Sequence, residues 1–463
     1  MQPRKPIQEL SYASSDEDSV NDNPSNHCPV EENFPSNKQP PTGRNNLAVE
    51  LEVPSSPKKT KRRDKIKLWC CFFPRYSTEV NLAILIAFLA FVVGLIVITF
   101  LLTRISRKGQ KPSTSFPSNI TIGVFYYPWY TGNFQKTLRE QLGQAPALGD
   151  YHSSHADVIA QHLAWSQQAN IGLWIASWWG EGTLTDNIIQ NSIFNHTKLG
   201  HHKIALFYET KGRIKKEDNY STDLVMGDVQ YMCQQYFDNP NYFRIQGRPV
   251  LFIYLTRMLE ALGILDSVVK LMRAAPCNHQ VFLIGDQAFG GPPSRKRPYQ
   301  PFELLDAVAN YDVYGSMTPH GYAGLQGVDK YYAQQFQWRS LAAKQNCGYV
   351  PSLSAGYNDV AVRPQMNHQP LSRRLTQDSA DGSLFQAGLI QAIRLVDPNI
   401  ESVLTITSFN EWFEDTQIEP VVGKSTTIPT TLTTGLEYDA YGELYLDILR
   451  NITSNLTSAF AMP

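Results

Sequence analysis

The sequence predicts a (β/α)8 barrel of the TIM type over residues 119–463, joined to one transmembrane helix and a disordered N-terminal tail. Three observations predict it. Residues 80–103 form an apolar run without a single charge. Residues 1–67 are rich in Ser, Pro, Asn and charge and show no apolar periodicity. Beyond residue 119, eight short runs rich in β-branched and aromatic residues alternate with amphipathic stretches.

The tail comes first. The 463-residue chain has a formal net charge of -1, but the charge is unevenly placed. Residues 1–57 are net acidic, 58–79 strongly basic and 104–463 nearly neutral. A polar segment without periodicity cannot bury enough apolar surface to fold, so residues 1–79 are read as a disordered cytoplasmic tail. Ser14, Ser15 and Ser19 flank the acidic run Asp16–Asp18, a setting open to phosphorylation, although a solvated charge run explains it equally simply. Cys70 and Cys71 precede the apolar run, where acylation is common. The absence of a basic excess over the whole chain argues against nucleic acid as a partner.

The apolar run follows. About 20 apolar residues cross a bilayer, and residues 80–103 exceed that. Eight basic residues, Lys58 to Arg75, precede the run and only Arg104, Arg107, Lys108 and Lys111 follow it. The positive-inside rule therefore places the N-terminus in the cytosol and gives a single-pass type II protein in contact with the lipid bilayer. Golgi membrane is the expected address, with plasma membrane as the alternative. Asn119, Asn195, Asn219, Asn451 and Asn455 each begin an Asn-x-Ser/Thr triplet, and all lie after the run. Residues 104–118 form a stem. The body holds Cys233, Cys277 and Cys347, enough for one disulfide and one free thiol, and the sequence leaves the pairing open.

The barrel runs are Ile122–Tyr130, Gly172–Gly180, Lys203–Glu209, Val250–Leu255, Val281–Asp286, Ala307–Tyr311, Tyr349–Tyr357 and Val403–Trp412. Helical patterns lie between them over His155–Asn170, Thr222–Phe237, Thr256–Ala274, Asp329–Lys344 and Leu371–Leu395, with a last one near Tyr438–Asn451. Strand–helix alternation implies parallel strands with crossovers, and eight repeats close a barrel. A doubly wound open sheet is the competing fold, but no Gly-rich phosphate loop follows the first run.

Active sites of such barrels lie at the C-terminal ends of the strands. Here those ends are aromatic and acidic: Tyr126–Tyr130, Ser177–Gly180, Tyr208-Glu209, Asp286, Tyr311–Tyr314, Gly356–Arg363 and Asn410–Asp415. Tryptophan and tyrosine walls with carboxylates at their base suit a carbohydrate, whose C–H faces stack on rings and whose hydroxyls need acceptors. Glu411 and Glu414, three residues apart in a turn, can reach one ligand, and paired carboxylates are what glycoside hydrolysis uses. An acidic helix N-terminus is the bland alternative. No cofactor is called for. His152, His155, His201 and His202 form no convincing metal constellation.

At these residues a resemblance enters. Thr407–Pro420, reading TSFNEWFEDTQIEP, resembles the signature of the Golgi endo-α-1,2-mannosidases and their bacterial relatives, glycoside hydrolase family ninety-nine. The resemblance extends over most of residues 120–450, through the YYPWY start, the ASWWG strand, Glu209, GRPVLFIY and GYNDVAVRP. It implies a retaining endo-α-mannosidase. Glu411 would deprotonate the sugar's own 2-hydroxyl, which attacks the anomeric carbon to give a 1,2-anhydro sugar. Glu414 would be the general acid and then the base. It further implies substrate contacts from Asn410, Glu209, Arg363, Tyr126, Trp178, Tyr314 and Trp412. Three positions depart from the pattern: Phe413 stands where His is usual, Asp415 where Gly is usual, and Thr210 where Pro is usual. A glycosidase of other linkage specificity, or a membrane-tethered glycan-binding protein, are the competing readings.

Overall fold

The structure is a computed structural model and describes residues 120–132, 144–294, 298–317, 321–360, 362–363, 365–366, 368–423 and 440–459. The expected tail, apolar run, stem and Asn119 lie outside these residues. No helix among the described residues is long and apolar enough to cross a membrane.

The barrel wall is built from β1 (Thr121–Tyr126), β3 (Ile171–Trp178), β4 (Lys203–Tyr208), β6 (Arg248–Ile253), β7 (Phe282–Asp286), β8 (Ala307–Ala309), β9 (Gly348–Val350), β10 (Ser352–Ser354) and β11 (Val403–Thr407). Three short strands lie outside the wall: β2 (Gln144–Pro146), β5 (Arg244–Ile245) and β12 (Val421–Gly423). Neighbours pair in parallel in the order β10-β11-β1-β3-β4-β6-β7-β8-β9. β9 and β10 are two halves of one extended run broken at Pro351, which has no N–H to donate to the ladder. The first half pairs with β8 and the second with β11, and Thr405 N donates to Pro351 O across the break. The wall thus closes through a proline, and nine strands make eight staves.

The interior is filled. Phe125 of β1 meets Phe207 of β4 at 4.7 Å, Phe252 of β6 at 6.2 Å and Tyr311 after β8 at 4.9 Å. β1 is hydrogen-bonded to neither β4 nor β6, so these rings cross the lumen. Their burial supplies the apolar transfer energy that closes the barrel, roughly 1.5–3 kcal/mol per large side chain.

Helices cover the outside. The first, Ala156–Gln168, buries Val158, Ile159, His162, Leu163, Trp165 and Ser166 on one face. It ends where Asn170 turns left-handed at φ 58°. The pattern over Thr256–Ala274 is two helices, Thr256–Ala261 and Leu265–Ala274, because Gly263 adopts φ 73° between them. The pattern over Leu371–Leu395 is helical only at Ser383–Ile393. Its first part is a loop instead. Leu371 bridges to Tyr357, and Arg373 is buried among backbone carbonyls. The helix expected from Asp329 starts earlier, at Gly324, and the last helix runs Leu444–Ala459.

Cys233 and Cys277 form a disulfide that closes a 44-residue separation, and Cys347 is a buried free thiol. In the chain-entropy account such a loop contributes about 4 kcal/mol by restricting the unfolded chain. Asn195, Asn219 and Asn451 are exposed, as glycosylation acceptors must be.

Candidate active site

The loop after β11 carries the signature, and it folds back on itself. Ser408 N donates to Thr416 O at 3.0 Å, Ile418 N to Ser408 O at 3.0 Å and Glu419 N to Phe409 O at 2.8 Å. Glu411 N donates to Ser408 Oγ at 2.8 Å, and Phe409 N donates to Phe125 O at 2.8 Å, tying the loop to β1. Glu411 and Glu414 sit at the tip of this self-bonded loop, on a rigid frame rather than a free turn.

Glu411 is buried and accepts from Phe413 N at 2.9 Å. Burial first, and then the neighbouring Glu414, hold its carboxyl well above the usual carboxylate range. The Phe413 N–H and the Arg363 guanidinium oppose this, and Glu209 adds to the rise. Glu414 is partly exposed. It accepts from Arg363 Nη1 at 3.0 Å on one oxygen and from Tyr314 OH at 3.2 Å on the other. Burial keeps the Tyr314 phenol protonated, which suits a donor. Its ring stacks on Tyr357 at 3.9 Å, so two elements hold it. Arg363 is fixed in turn by buried Asp359, whose Oδ2 it meets at 3.0 Å.

Glu209 ends β4 and is buried. Ser177 Oγ donates to its Oε1 at 2.7 Å, and Trp179 Nε1 donates to Ser177 Oγ at 2.9 Å. Burial pushes the Glu209 carboxyl up to about 8, with Ser177 pulling it down and Glu414 pushing further up. At neutral pH Glu209 therefore holds a proton and can donate a hydrogen bond to a ligand oxygen. The folded protein binds this proton more tightly than the unfolded chain. Its stabilising contribution is full below the ordinary value of 4.5 and is lost as pH rises towards about 8. Above about 8 Glu209 ionises beside Glu414, and turnover should fall. Glu209→Gln cannot ionise, so the alkaline limb of the pH–rate profile should move or disappear in that variant. A limb unchanged by the substitution would assign it to another group.

Two expected wall residues are corrected. Tyr126 is fully buried, stacks on Trp174 at 4.3 Å and meets His162 Nδ1 at 2.9 Å, so it faces the first helix and not the lumen. Trp178 is fully buried, with its Nε1 donating to Asp186 Oδ1 at 2.7 Å. The reason is strand alternation: successive side chains point to opposite faces. The residues in phase with inward Phe125 and Glu209 are Tyr127, Ser177 and Trp179. Tyr127 OH meets Tyr311 OH at 2.6 Å, and burial first, then the nearby Glu209, Glu411 and Glu414, raises its pKa. Period-two counting from Glu209 across the paired register would have found Ser177 and Tyr127.

Asn410 and Trp412 also do other work than substrate contact. Asn410 is buried and staples β1 to the loop, accepting from Tyr127 N at 2.7 Å and donating to Tyr127 O at 3.1 Å. Trp412 Nε1 donates to Glu419 Oε2 at 2.9 Å. Glu419 is itself bonded to Tyr151 OH at 2.8 Å and His162 Nε2 at 3.3 Å. Both residues flank Glu411 and hold it in place from behind.

Asp415 has φ 52°, the region that glycine enters without strain. Its carboxylate turns to buried Arg373 at 3.0 Å, inside the fold, and is not bonded to Glu414 or Arg363. A third acidic group, Asp312, lies near Glu414. Burial raises it to about 6 against the pull of Arg257. Arg257 meets Asp286 at 2.6 Å and Asp312 at 3.4 Å. No group of three His, Cys, Asp or Glu among the described residues is arranged to hold a metal ion. His152 and His155 stack on one another at 4.8 Å.

The family model described as glycosyl hydrolase family 99 matches residues 135–264 and 315–458. The glycoprotein endo-alpha-1,2-mannosidase of Rattus norvegicus is 26% identical over 385 residues, covering 72% of this chain and 74% of that protein. A glycoprotein endo-alpha-1,2-mannosidase-like protein of Mus musculus is 27% identical over 332 residues, covering 67% and 65%. Among solved structures, the endo-alpha-mannosidase from Bacteroides thetaiotaomicron aligns with a TM-score of 0.52 at 21% identity, over 75% of this chain and 100% of that one. At that identity the structural likeness speaks for the fold.

Proposed function

The chain belongs to glycosyl hydrolase family 99 and is an endo-α-mannosidase-like glycoside hydrolase, and on that premise we propose that it is a retaining endo-α-mannosidase acting on neutral α-mannosidic glycans. The observation that carries the proposal is the loop tip: buried Glu411 and, three residues on, Glu414 held between Arg363 and Tyr314. In an α-mannoside the axial 2-hydroxyl lies opposite the leaving group. Held there, it is a nucleophile at high effective concentration. Glu411 takes its proton while the hydroxyl oxygen bonds to the anomeric carbon and the glycosidic bond breaks. Glu414 gives a proton to the departing oxygen. In the second half Glu414 takes a proton from water, water opens the 1,2-anhydro ring, and Glu411 returns the proton to the 2-oxygen. Two inversions give net retention.

These roles require Glu411 ionised and Glu414 protonated at the moment of reaction. Burial favours a proton on Glu411. Sugar binding must therefore draw that proton off Glu411 before the 2-hydroxyl can attack. Even with protons on Glu209 and Glu411, the remaining carboxyls Glu414, Asp286, Asp312 and Asp359 outnumber Arg257 and Arg363, which disfavours anionic sugars. Incubating the body with a panel of α-mannosidic oligosaccharides and following products by NMR tests the reading. Initial release of the α-anomer is expected, and β-anomer first, or no cleavage of any α-mannoside, overturns it.

The same proposal includes a type II topology with the body in the secretory lumen, at the Golgi or the plasma membrane. The charge step around residues 80–103, the exposed Asn195, Asn219 and Asn451 and the disulfide support it. Protease treatment of sealed microsomes should remove the tail and spare a glycosylated body; digestion of the body would refute this orientation.

A further inference from the structure

One glycosylation triplet stands apart from the others by its place in the barrel. Asn195 lies between the π-helical turn Ile189–Ile193 and the start of β4, at the N-terminal end of the strands. Asn451 lies in the last helix, close to Thr453, whose Oγ1 accepts from Asn170 Nδ2 at 2.9 Å just ahead of β3. It belongs to the same end. Asn219 does not. It lies in the loop that leaves β4 at Glu209 and enters the helix Val225–Gln235, at the C-terminal end of the strands, where the carboxylates are.

That loop is pinned at its base and open at its tip. Arg213 Nη2 meets Asp228 Oδ1 at 2.6 Å and Arg213 Nε donates to Asp228 Oδ2 at 2.9 Å, so the two ends of the loop are held together. Its base packs on the cleft wall. A Cβ on Gly212 would lie 2.5 Å from the Trp179 ring, whose indole N–H leads through Ser177 to Glu209. Further out, Tyr220 N donates to Lys215 O at 2.8 Å and Asn219 N to Lys216 O at 3.0 Å, and Lys215 to Asn219 are all exposed. The chain from Gly212 to Asn219 can span at most about 25 Å, so the acceptor asparagine stays within that distance of the cleft wall. A bulky, branched N-glycan on it can return across such a gap.

We infer that the N-glycan on Asn219 is a tethered substrate of this cleft: the protein trims an α-mannosidic branch of the glycan it carries beside its own carboxylates. The inference rests on the glycosidase reading above, luminal body included, and adds a substrate to it. N-linked glycans are built on α-mannosidic branches, the linkage class proposed. Tethering raises their local concentration to about millimolar, at or above the usual range of KM, without any new contact. The step is a hydrolysis: the glycosidic C–O bond breaks, the departing oxygen takes a proton, and water supplies the hydroxyl to the anomeric carbon. Glycans on Asn195 and Asn451 start from the far end of the barrel and escape.

The test expresses the full chain, as wild type and as Glu414→Gln and Glu411→Gln, in a glycosylating host whose processing glucosidases and mannosidases are inhibited. Mass spectrometry of glycopeptides then reads each site separately. In the wild type most Asn219 glycopeptides should have lost the mass of an oligosaccharide branch, while Asn195 and Asn451 keep theirs. All three sites should be intact in both variants. An unoccupied Asn219, an Asn219 glycan equal in wild type and variants, or equal trimming at all three sites overturns the inference. A soluble α-mannosidic oligosaccharide given to the same wild-type preparation separates the two readings. If it is cleaved while Asn219 stays untrimmed, the tethered substrate alone is lost. If neither is cleaved, the glycosidase reading goes with it.

Discussion

Glu414→Gln and Glu411→Gln should each lower kcat/KM on an α-mannosidic oligosaccharide by about a thousandfold or more, within the range for loss of a general acid or base. The fold should survive both. Glu411 is buried with its proton favoured, and a glutamine oxygen can still accept from Phe413 N, so the neutral amide replaces a neutral acid. Glu414 is partly exposed, and its loss frees Arg363 to remain on Asp359. The two variants differ in one respect. A mannoside with a good leaving group needs no proton from the enzyme, so it should restore much of the first step in Glu414→Gln and little in Glu411→Gln. Steady-state rates on an oligosaccharide and on an activated aryl mannoside check this. Equal rescue of both variants would remove the assigned division of labour, and full activity in both would remove the site.

Arg373→Ala should be the most damaging substitution away from the carboxylates, costing about 3–5 kcal/mol of stability. Arg373 and Asp415 are both nearly inaccessible, with side chains 6% and 5% exposed. Arg373 donates to Gln417 O, Asp415 O and Asp415 Oδ1, each at 3.0 Å, and lies over the rings of Tyr441 and Tyr445. Removing it leaves the buried Asp415 carboxylate without its counter-charge and takes a donor from two carbonyls. The double variant Arg373→Met with Asp415→Gly should lose markedly less. It removes both charges and places glycine at φ 52°, where no Cβ strain remains. Urea unfolding midpoints check both. A single variant as stable as the double would show that the pair is not what holds the loop to the last helix.

Both experiments bear on one loop, and that loop shows how far a sequence can be read. Its motif, Asn410 to Asp415, stands out from residue types alone, and so does its place at the end of the eighth run. The division of labour inside it does not. Asn410, Trp412 and Asp415 are as polar or aromatic as a substrate contact, yet each is turned to a partner within the fold: Tyr127, Glu419 and Arg373. Tyr126 and Trp178 are legible as strand-end aromatics, but the phase of alternation decides which of two neighbours looks inward. A single-sequence reading leaves that phase open by one residue. Arg363 and Glu209 sit where their strand ends put them. Asp359, Ser177 and Trp179 come to matter only because tertiary contacts aim Arg363, Glu209 and an aromatic ring. The helices show the same limit. Hydrophobic period marked their existence, while Gly263 and Gly382, at φ 73° and 77°, cut two of them short.

By itself the sequence determined the strand–helix alternation that makes a barrel, the carboxylate pair at its mouth, and the uncharged run and basic collar that lie outside the described residues. These are properties of local pattern: periodicity, charge and motif spacing act over a few residues and leave a trace in order along the chain. The tertiary structure alone decided the closure through Pro351, the pairing of Cys233 with Cys277, the inward face of each strand, and the protons on Glu209 and Glu411. Those depend on burial and on neighbours brought close in space, from Cys277, 44 residues after Cys233, to Glu414 acting on Glu209 across the barrel mouth. Desolvation and charge–charge energy are set by distance in space, which no spacing in sequence encodes.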